Sequence, residues 1–282
     1  MTAKAPIIPG TLKEALATMA RKNVVPLAGG TDVLVRLHDT AYETWPELLI
    51  LERLRPLRKV AVVETAVKLG PLVTFSEIEK SSVLRRYAPQ LVQAASTAGS
   101  AQIRNRATIG GNLANGSPAG DLLPPLYVLS AKLELSSSRG KRHVSIGDFF
   151  KGPGETVLKR NELITSVLIE KSAKHGFFLR LAARRALAIS KVSVAVSVSL
   201  RRGKVQSAKI ALGAVAPTVV RALRTEEYLL HKDLGEDSIR GACRTVAGEV
   251  EPIDDIRSDA DYRREMTGVL LGRVLTRIAQ SR

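Results

Sequence analysis

The stretch 108–121, TIGGNLANGSPAGD, constrains this chain more than any other. It sets Gly110, Gly111, Gly116 and Gly120 among Asn, Ser and Pro, then opens into the apolar run LLPPLYVLSAKLEL. Glycine loses more conformational freedom on folding than any other residue. Such a run is kept where the backbone turns with positive φ or passes close to something. A shorter loop of the same kind, LAGGTD at 27–32, follows the apolar segment VVP. Consecutive main-chain N–H groups in such turns form concave nests for anions, phosphate above all. Two of them in one half of a chain are able to grip two ends of a diphosphate. Neither G-x-G-x-x-G nor G-x-x-x-x-G-K-[ST] occurs, so neither a Rossmann fingerprint nor a P-loop is supported. On the residues alone the reading stops at a diphosphate-bearing ligand, set against the plainer one in which each Gly-Gly pair is only a turn.

The flanking pattern is mixed. Thr11 followed by Glu14 opens a helix over 11–23 with a capping box. Residues 24–37 read as a strand, a tight loop and a second element, and 47–54 as another strand. A strand turns into a helix start over 66–81, capped by Ser76 or Thr74, and 88–98 is helical. From about residue 176 the texture changes. VAVSVSL alternates at period two, as a half-buried strand does, and RGK turns it into SAKIALGAV. Helices follow over 236–250 and 259–280, the last with an apolar stripe of Met266, Val269, Leu270, Val274 and Ile278. A chain of 282 residues suggests about two domains. The border is placed in 168–178, giving 1–172, with subdomains of about 1–55 and 56–172, and then 173–282 as a small antiparallel sheet covered by helices.

The net charge of +16 favours anionic partners. The basic residues are spread along the chain and aromatics are only 4%, which argues against nucleic acid; the plain reading is a solvated basic surface, and the sharper one is docking against acidic partner subunits. One cysteine, Cys243, cannot by itself hold an iron–sulfur cluster. His38, His143, His175 and His231 are dispersed, so no metal site is expected. No run approaches the ~18 apolar residues of a membrane span, and no leader pattern opens the chain; a cytoplasmic protein is the expectation.

PLAGGTDVLVRL and SAQIRNRATIGGNLANGSPAGDLLPPLYVL resemble the FAD-binding medium subunit of the molybdenum hydroxylases, the xanthine dehydrogenase and carbon monoxide dehydrogenase group. GDFFKGPGETVLKRNELITSVLIE, RRALAISKVSVAV, IALGAVAPTVVRA and DIRSDADYRREMTGVLLGRVL extend the likeness over about 6–280. The resemblance implies an α+β fold: the two-subdomain FAD-binding fold of the vanillyl-alcohol oxidase type, then a small C-terminal domain. It implies noncovalent FAD, despite His38 just past the first loop. The diphosphate would lie on Ala28, Gly29, Gly30, Thr31 and Asp32 and on Ile109, Gly110, Gly111 and Asn112, with Leu27, Val33 and Thr108 among the other cofactor-binding residues. There any Cβ pointing at the phosphates would push them out of reach. Ser117 and Asp121 match cofactor-binding positions, although Asp121 also suits a cap on the next helix. Leu163 and Ile164 match the segment that passes the flavin edge, with side chains suited to a core strand. Arg180 falls where several relatives place a lysine near the flavin; a cation there would stabilise the anionic reduced ring, whereas the plain reading is a surface arginine at a strand end.

The same resemblance implies a role without acid–base residues of its own. Molybdopterin and [2Fe-2S] clusters would sit on a large and a small partner subunit, in a dimer of heterotrimers. This chain would take their electrons and pass them to NAD or another acceptor. Two departures stand out. Relatives that use NAD often carry an acidic pair after the double arginine, whereas Arg184 and Arg185 are followed by Ala186, Leu187 and Ala188; Gly116 stands where alanine is common. Two rivals remain: a stand-alone flavin oxidoreductase of the same fold and a non-enzymatic basic binding protein.

Overall fold

The computed structural model describes residues 5–171, 175–184 and 186–281. Part of the expected domain border, and Arg185, lie outside them.

The N-terminal elements are α1 (Leu12–Arg21), β1 (Val24–Leu27), α2 (Val33–His38) and β2 (Glu47–Ile50). Strands β1 and β2 run parallel, and α1 buries Ala15, Leu16 and Met19 with Leu49 and Leu54 in a small core. Thr11 caps α1 by accepting from the Glu14 amide at 3.1 Å. The expected reciprocal bond goes elsewhere, because the Glu14 carboxylate accepts from Gly10 N–H at 2.8 Å.

Next come β3 (Val60–Val63), β4 (Ala66–Leu69), α3 (Phe75–Lys80), α4 (Ser82–Tyr87), α5 (Pro89–Thr97), α6 (Ala101–Arg106), α7 (Ile109–Asn115) and α8 (Leu123–Val128). They are followed by β5 (Lys132–Ser137), β6 (Gly140–Ser145), β7 (Phe150–Gly152), β8 (Glu155–Thr156) and β9 (Leu163–Glu170). A five-stranded sheet of order β3-β4-β9-β5-β6 forms. Its buried face meets the helices in the largest core, which holds Leu91, Leu113, Leu126, Phe149 and Val167. Thr74, not Ser76, caps α3, in a full capping box with Glu77.

The last elements are β10 (His175–Ala182), β11 (Ser190–Arg201), β12 (Lys204–Gly213), β13 (Val220–Arg221), α9 (Leu223–Leu229), α10 (Glu236–Ala247) and α11 (Ala260–Gln280). The strands form one antiparallel sheet in chain order. The period-two run is β11, whose Val192, Val194, Val196 and Val198 face the helices. Of the stripe read on α11, Leu270, Val274 and Ile278 enter this core. Met266 packs at its edge, and Val269 is only half-buried.

A loop between α10 and α11 is pinned by Asp255. Its carboxylate accepts from Arg257 Nε at 3.0 Å and from the buried Arg263 guanidinium at 2.5 Å, and Arg263 also donates to Ala214 C=O at 3.1 Å. The Arg257 hydrogen bond, foremost, and that of Arg263 hold the Asp255 carboxyl well below its usual range. A depressed folded-state pKa stabilises the protein above the unfolded value and is lost as pH falls. Asp255→Asn is therefore expected to cost about 2 kcal/mol at pH 7. The gap to wild type should begin to narrow below about pH 4 and close only as pH falls through the depressed folded-state value, in thermal melts across pH. A gap independent of pH would disprove the charge argument.

Candidate functional site

A cavity of about 600 Å³ opens where the two glycine-bearing loops meet, inside the range for cofactor sites. Leu27 ends β1 there, Ala28 to Asp32 form the first loop, and Val33 starts α2; all line the wall. Gly30 turns the chain here with φ 80°. Among the described residues, no acceptor meets the N–H groups of Ala28, Gly29, Gly30, Thr31, Asp32 or Val33. Six consecutive main-chain donors are thus left free along the wall.

The second loop differs from the expectation. Residues 109–115 are helix α7 and not a loop. Thr108 is its N-cap, accepting from Gly111 N–H at 3.0 Å. Ile109 N–H donates to Val73 C=O at 3.0 Å, Gly110 N–H to Pro71 C=O at 2.8 Å, and Asn112 N–H to Thr108 C=O at 3.0 Å. The amides at this helix start are thus taken by the protein itself. Thr108, Gly110, Gly111 and Asn112 still line the cavity, whereas Ile109 is fully buried in the core.

The fold itself requires glycine at two of these positions. A Cβ on Gly29 would lie 2.0 Å from Arg106 C=O oxygen, and one on Gly110 would lie 2.6 Å from Pro71 Cβ. Chain segments cross there too closely for any side chain.

Ser117 and Asp121 lie on the wall. Asp121 does not cap α8, whose N-cap is Leu122 without a side-chain bond. Its carboxylate accepts instead from Ser190 Oγ at 2.6 Å and Arg180 Nη1 at 3.1 Å. Burial pushes the Asp121 carboxyl above its ordinary value, against the pull of Arg180 and Ser190. Arg180 is neither at the surface nor on the wall. It is 6% exposed, sits behind Asp121, and donates to Thr97 C=O at 2.5 Å and Ala188 C=O at 2.9 Å. Leu163 and Ile164, at the start of β9, are buried and reach the cavity. Beside them the wall carries Glu162, whose carboxylate is held low first by hydrogen bonds from Arg142, at 2.7 and 2.8 Å.

Several wall residues were not among those expected. Arg36 Nη2 donates to Asn115 Oδ1 at 2.9 Å, and Asn115 Nδ2 to Asp32 Oδ1 at 3.2 Å. This relay joins α2 to the end of α7 beside the cavity. Arg36 stands four residues after Asp32, one helical turn on, which was a local signal. Leu187 and Ile189 also line the cavity, though 57% and 60% exposed. Leu187 adopts φ 53°, and its carbonyl accepts from Arg184 Nη2 at 2.7 Å. Arg257 reaches the wall from the C-terminal loop; nothing local in its sequence marks it.

The arrangement fits a flavin dinucleotide on three counts. The free amides suit a diphosphate. The exposed Leu187 and Ile189 offer apolar area to a ring system. Asn112 Oδ1 is buried without a partner among the described residues, and a buried polar atom left so calls for an explanation.

The family of the FAD binding domain in molybdopterin dehydrogenase matches residues 4–170, and that of the CO dehydrogenase flavoprotein C-terminal domain matches 177–278. The chain is 30% identical to the glyceraldehyde dehydrogenase medium chain of Sulfolobus acidocaldarius, over 95% of this chain and 96% of that one. It is also 30% identical to the xanthine dehydrogenase FAD-binding subunit of Escherichia coli O157:H7, over 89% and 87%. Among solved structures it is similar to quinoline 2-oxidoreductase from Pseudomonas putida 86, with a TM-score of 0.92 and 27% identity over 100% and 99% of the chains.

Proposed function

Because this chain belongs to the FAD-binding medium subunits of the molybdenum hydroxylases, we propose that the cavity between β1, α7 and β9 is where it holds FAD, as the electron-transfer subunit of such a complex. The observation that carries the reading is the row of unpaired amides from Ala28 to Val33 on the wall of a cavity of cofactor size. FAD supplies the redox chemistry, accepting electrons singly and releasing them in pairs.

The chain binds and orients. Ala28 to Val33 donate to the diphosphate. Asn112 gives its orphaned oxygen to a ligand hydroxyl or N–H, and Ser117 and Asp121 offer further polar contacts. Leu163, Ile164, Leu187 and Ile189 exclude water from the ring. Asp121 and Glu162, each with an arginine behind it, add little net negative charge to the wall. Arg36, which no carboxylate pairs directly among the described residues, supplies positive charge for an anionic ligand. Electrons would arrive from iron–sulfur clusters on a small partner subunit, downstream of a large molybdopterin subunit in a dimer of heterotrimers, and leave to an acceptor such as NAD. The relatives' names support partner subunits of this kind.

Absorbance of the purified complex tests the site. Wild type should carry flavin bands. Asn112→Leu, nearly isosteric, removes an unsatisfied buried oxygen, a change that is neutral or stabilising in the ligand-free protein. It should hold FAD about 10- to 100-fold more weakly, by loss of a hydrogen bond worth ~1–3 kcal/mol, while the ligand-free protein melts no lower than wild type. Full flavin content in Asn112→Leu would remove Asn112 from the site. A wild-type chain that takes up no added FAD would end the reading.

A further inference from the structure

A second concavity lies on the far sheet–helix layer, between the outer faces of α10 and α11. Its rims carry four exposed arginines: Arg240 and Arg244 on α10, and Arg273 and Arg277 on α11. Each pair is spaced i, i+4, so guanidinium groups repeat every ~6 Å along each helix. Arg240 is tied to Glu236 on its own helix at 2.5 Å. Among the described residues, no carboxylate partners Arg244, Arg273 or Arg277. The floor is apolar and small. Gly268 and Gly272 let α11 approach Cys243, since a Cβ on either would lie 3.0 Å from a Cys243 atom, and Ala247 and Val269 continue it.

We infer that this groove is a docking surface for an acidic amphipathic helix of a partner subunit. The inference rests on the subunit reading above. An apolar floor between two rows of cations matches a helix with an apolar stripe flanked by carboxylates, whose own turn repeats at ~5.4 Å. A small phosphate ligand would need donors that converge, whereas here they are spread in two rows with Glu265 among the lining residues. The groove also gives part of the +16 charge a use, since complementary charge sets partner choice and encounter rate.

The test uses the co-expressed complex, with co-elution of its chains followed at rising salt. Arg273→Glu combined with Arg277→Glu places like charges against the acidic helix, and should weaken association about a hundredfold. Flavin content and Tm should stay at wild type. Arg201→Glu with Arg202→Glu, an equal charge change on the β11–β12 turn, should co-elute as wild type does. If the α11 pair lowers Tm, Arg240→Glu with Arg244→Glu on α10 is read in its place and should give the same loss. Co-elution of the groove variants at wild-type salt tolerance overturns the inference. So does binding of wild type to vesicles of anionic phospholipid that the variants abolish while co-elution is unchanged. A wild-type chain that elutes with no partner subunit removes the subunit reading and the groove's occupant together; failure of the variants alone removes only the occupant.

Discussion

Gly29→Ala is expected to strip FAD from the protein and to destabilise it by about 3 kcal/mol, although it adds a single methyl group. The added Cβ would stand 2.0 Å from the Arg106 carbonyl oxygen and 2.6 Å from its carbon. Neither atom is free to move. Ala107 N–H donates to Ile103 C=O at 2.7 Å, Ala107 C=O accepts from Phe75 N–H at 3.0 Å, and Ile109 N–H is fixed on Val73 C=O at 3.0 Å. The first loop must yield instead, and with it the row of amides from Ala28 to Val33. Stability and flavin content should therefore fall together. Gly111→Ala is the control: it lies on the same cavity wall, and its Cβ would meet only the Thr108 hydroxyl at 3.1 Å. Melting of the ligand-free protein, with flavin absorbance of the complex, checks both. If Gly29→Ala melts with wild type and keeps its flavin, the close crossing at Arg106 is not what fixes the loop. Gly110→Val cannot separate fold from binding in this way, because its Cβ would overlap Pro71.

Those crossings show where the sequence stops speaking. LAGGTD and TIGGNLANGSPAGD stand out locally because glycine runs are rare, and both do meet at one cavity. The alternation in β11 and the apolar stripe of α11 were equally local, since each repeats within one element. Helix α7 was missed because Gly110 and Gly111 are among the poorest helix formers; tertiary partners at Pro71 and Val73 overrule that preference. Which amides remain free could not be read either. Both loops were read as nests, yet the N–H groups of the second are used inside the fold, and the acceptors at Pro71 and Val73, far upstream in the chain, are what reveal it. The Asp32–Asn115 and Asp121–Arg180 pairs join residues far apart in the chain. No pattern of hydropathy or spacing encodes such pairs, so a lone Arg180 was read as a strand-end cation or a flavin neighbour. In the fold it is the buried counter-charge of a wall carboxylate.

Arg180→Met should therefore act on the wall itself. Removing one partner of a buried ion pair leaves the other uncompensated, at a cost of about 3–5 kcal/mol. Asp121 is already pushed up by burial, and Arg180 is what chiefly opposes that; without it the carboxyl rises further. A folded-state pKa above the unfolded one favours the fold at low pH, and that advantage is lost as pH rises through the folded value. The variant should thus lose more Tm at pH 8 than at pH 5, and the gap to wild type should narrow toward acid. Flavin retention should fall as well. Arg180 ties Thr97 at the end of α5 to Ala188 and Ser190, so its loss frees the segment that carries Leu187 and Ile189 to the cavity. Arg180→Lys, which keeps the charge and loses the fork, should recover the pH profile more than the flavin content. A gap between variant and wild type that stays constant from pH 5 to pH 8 would mean that Arg180 acts through packing alone and not as the counter-ion of Asp121.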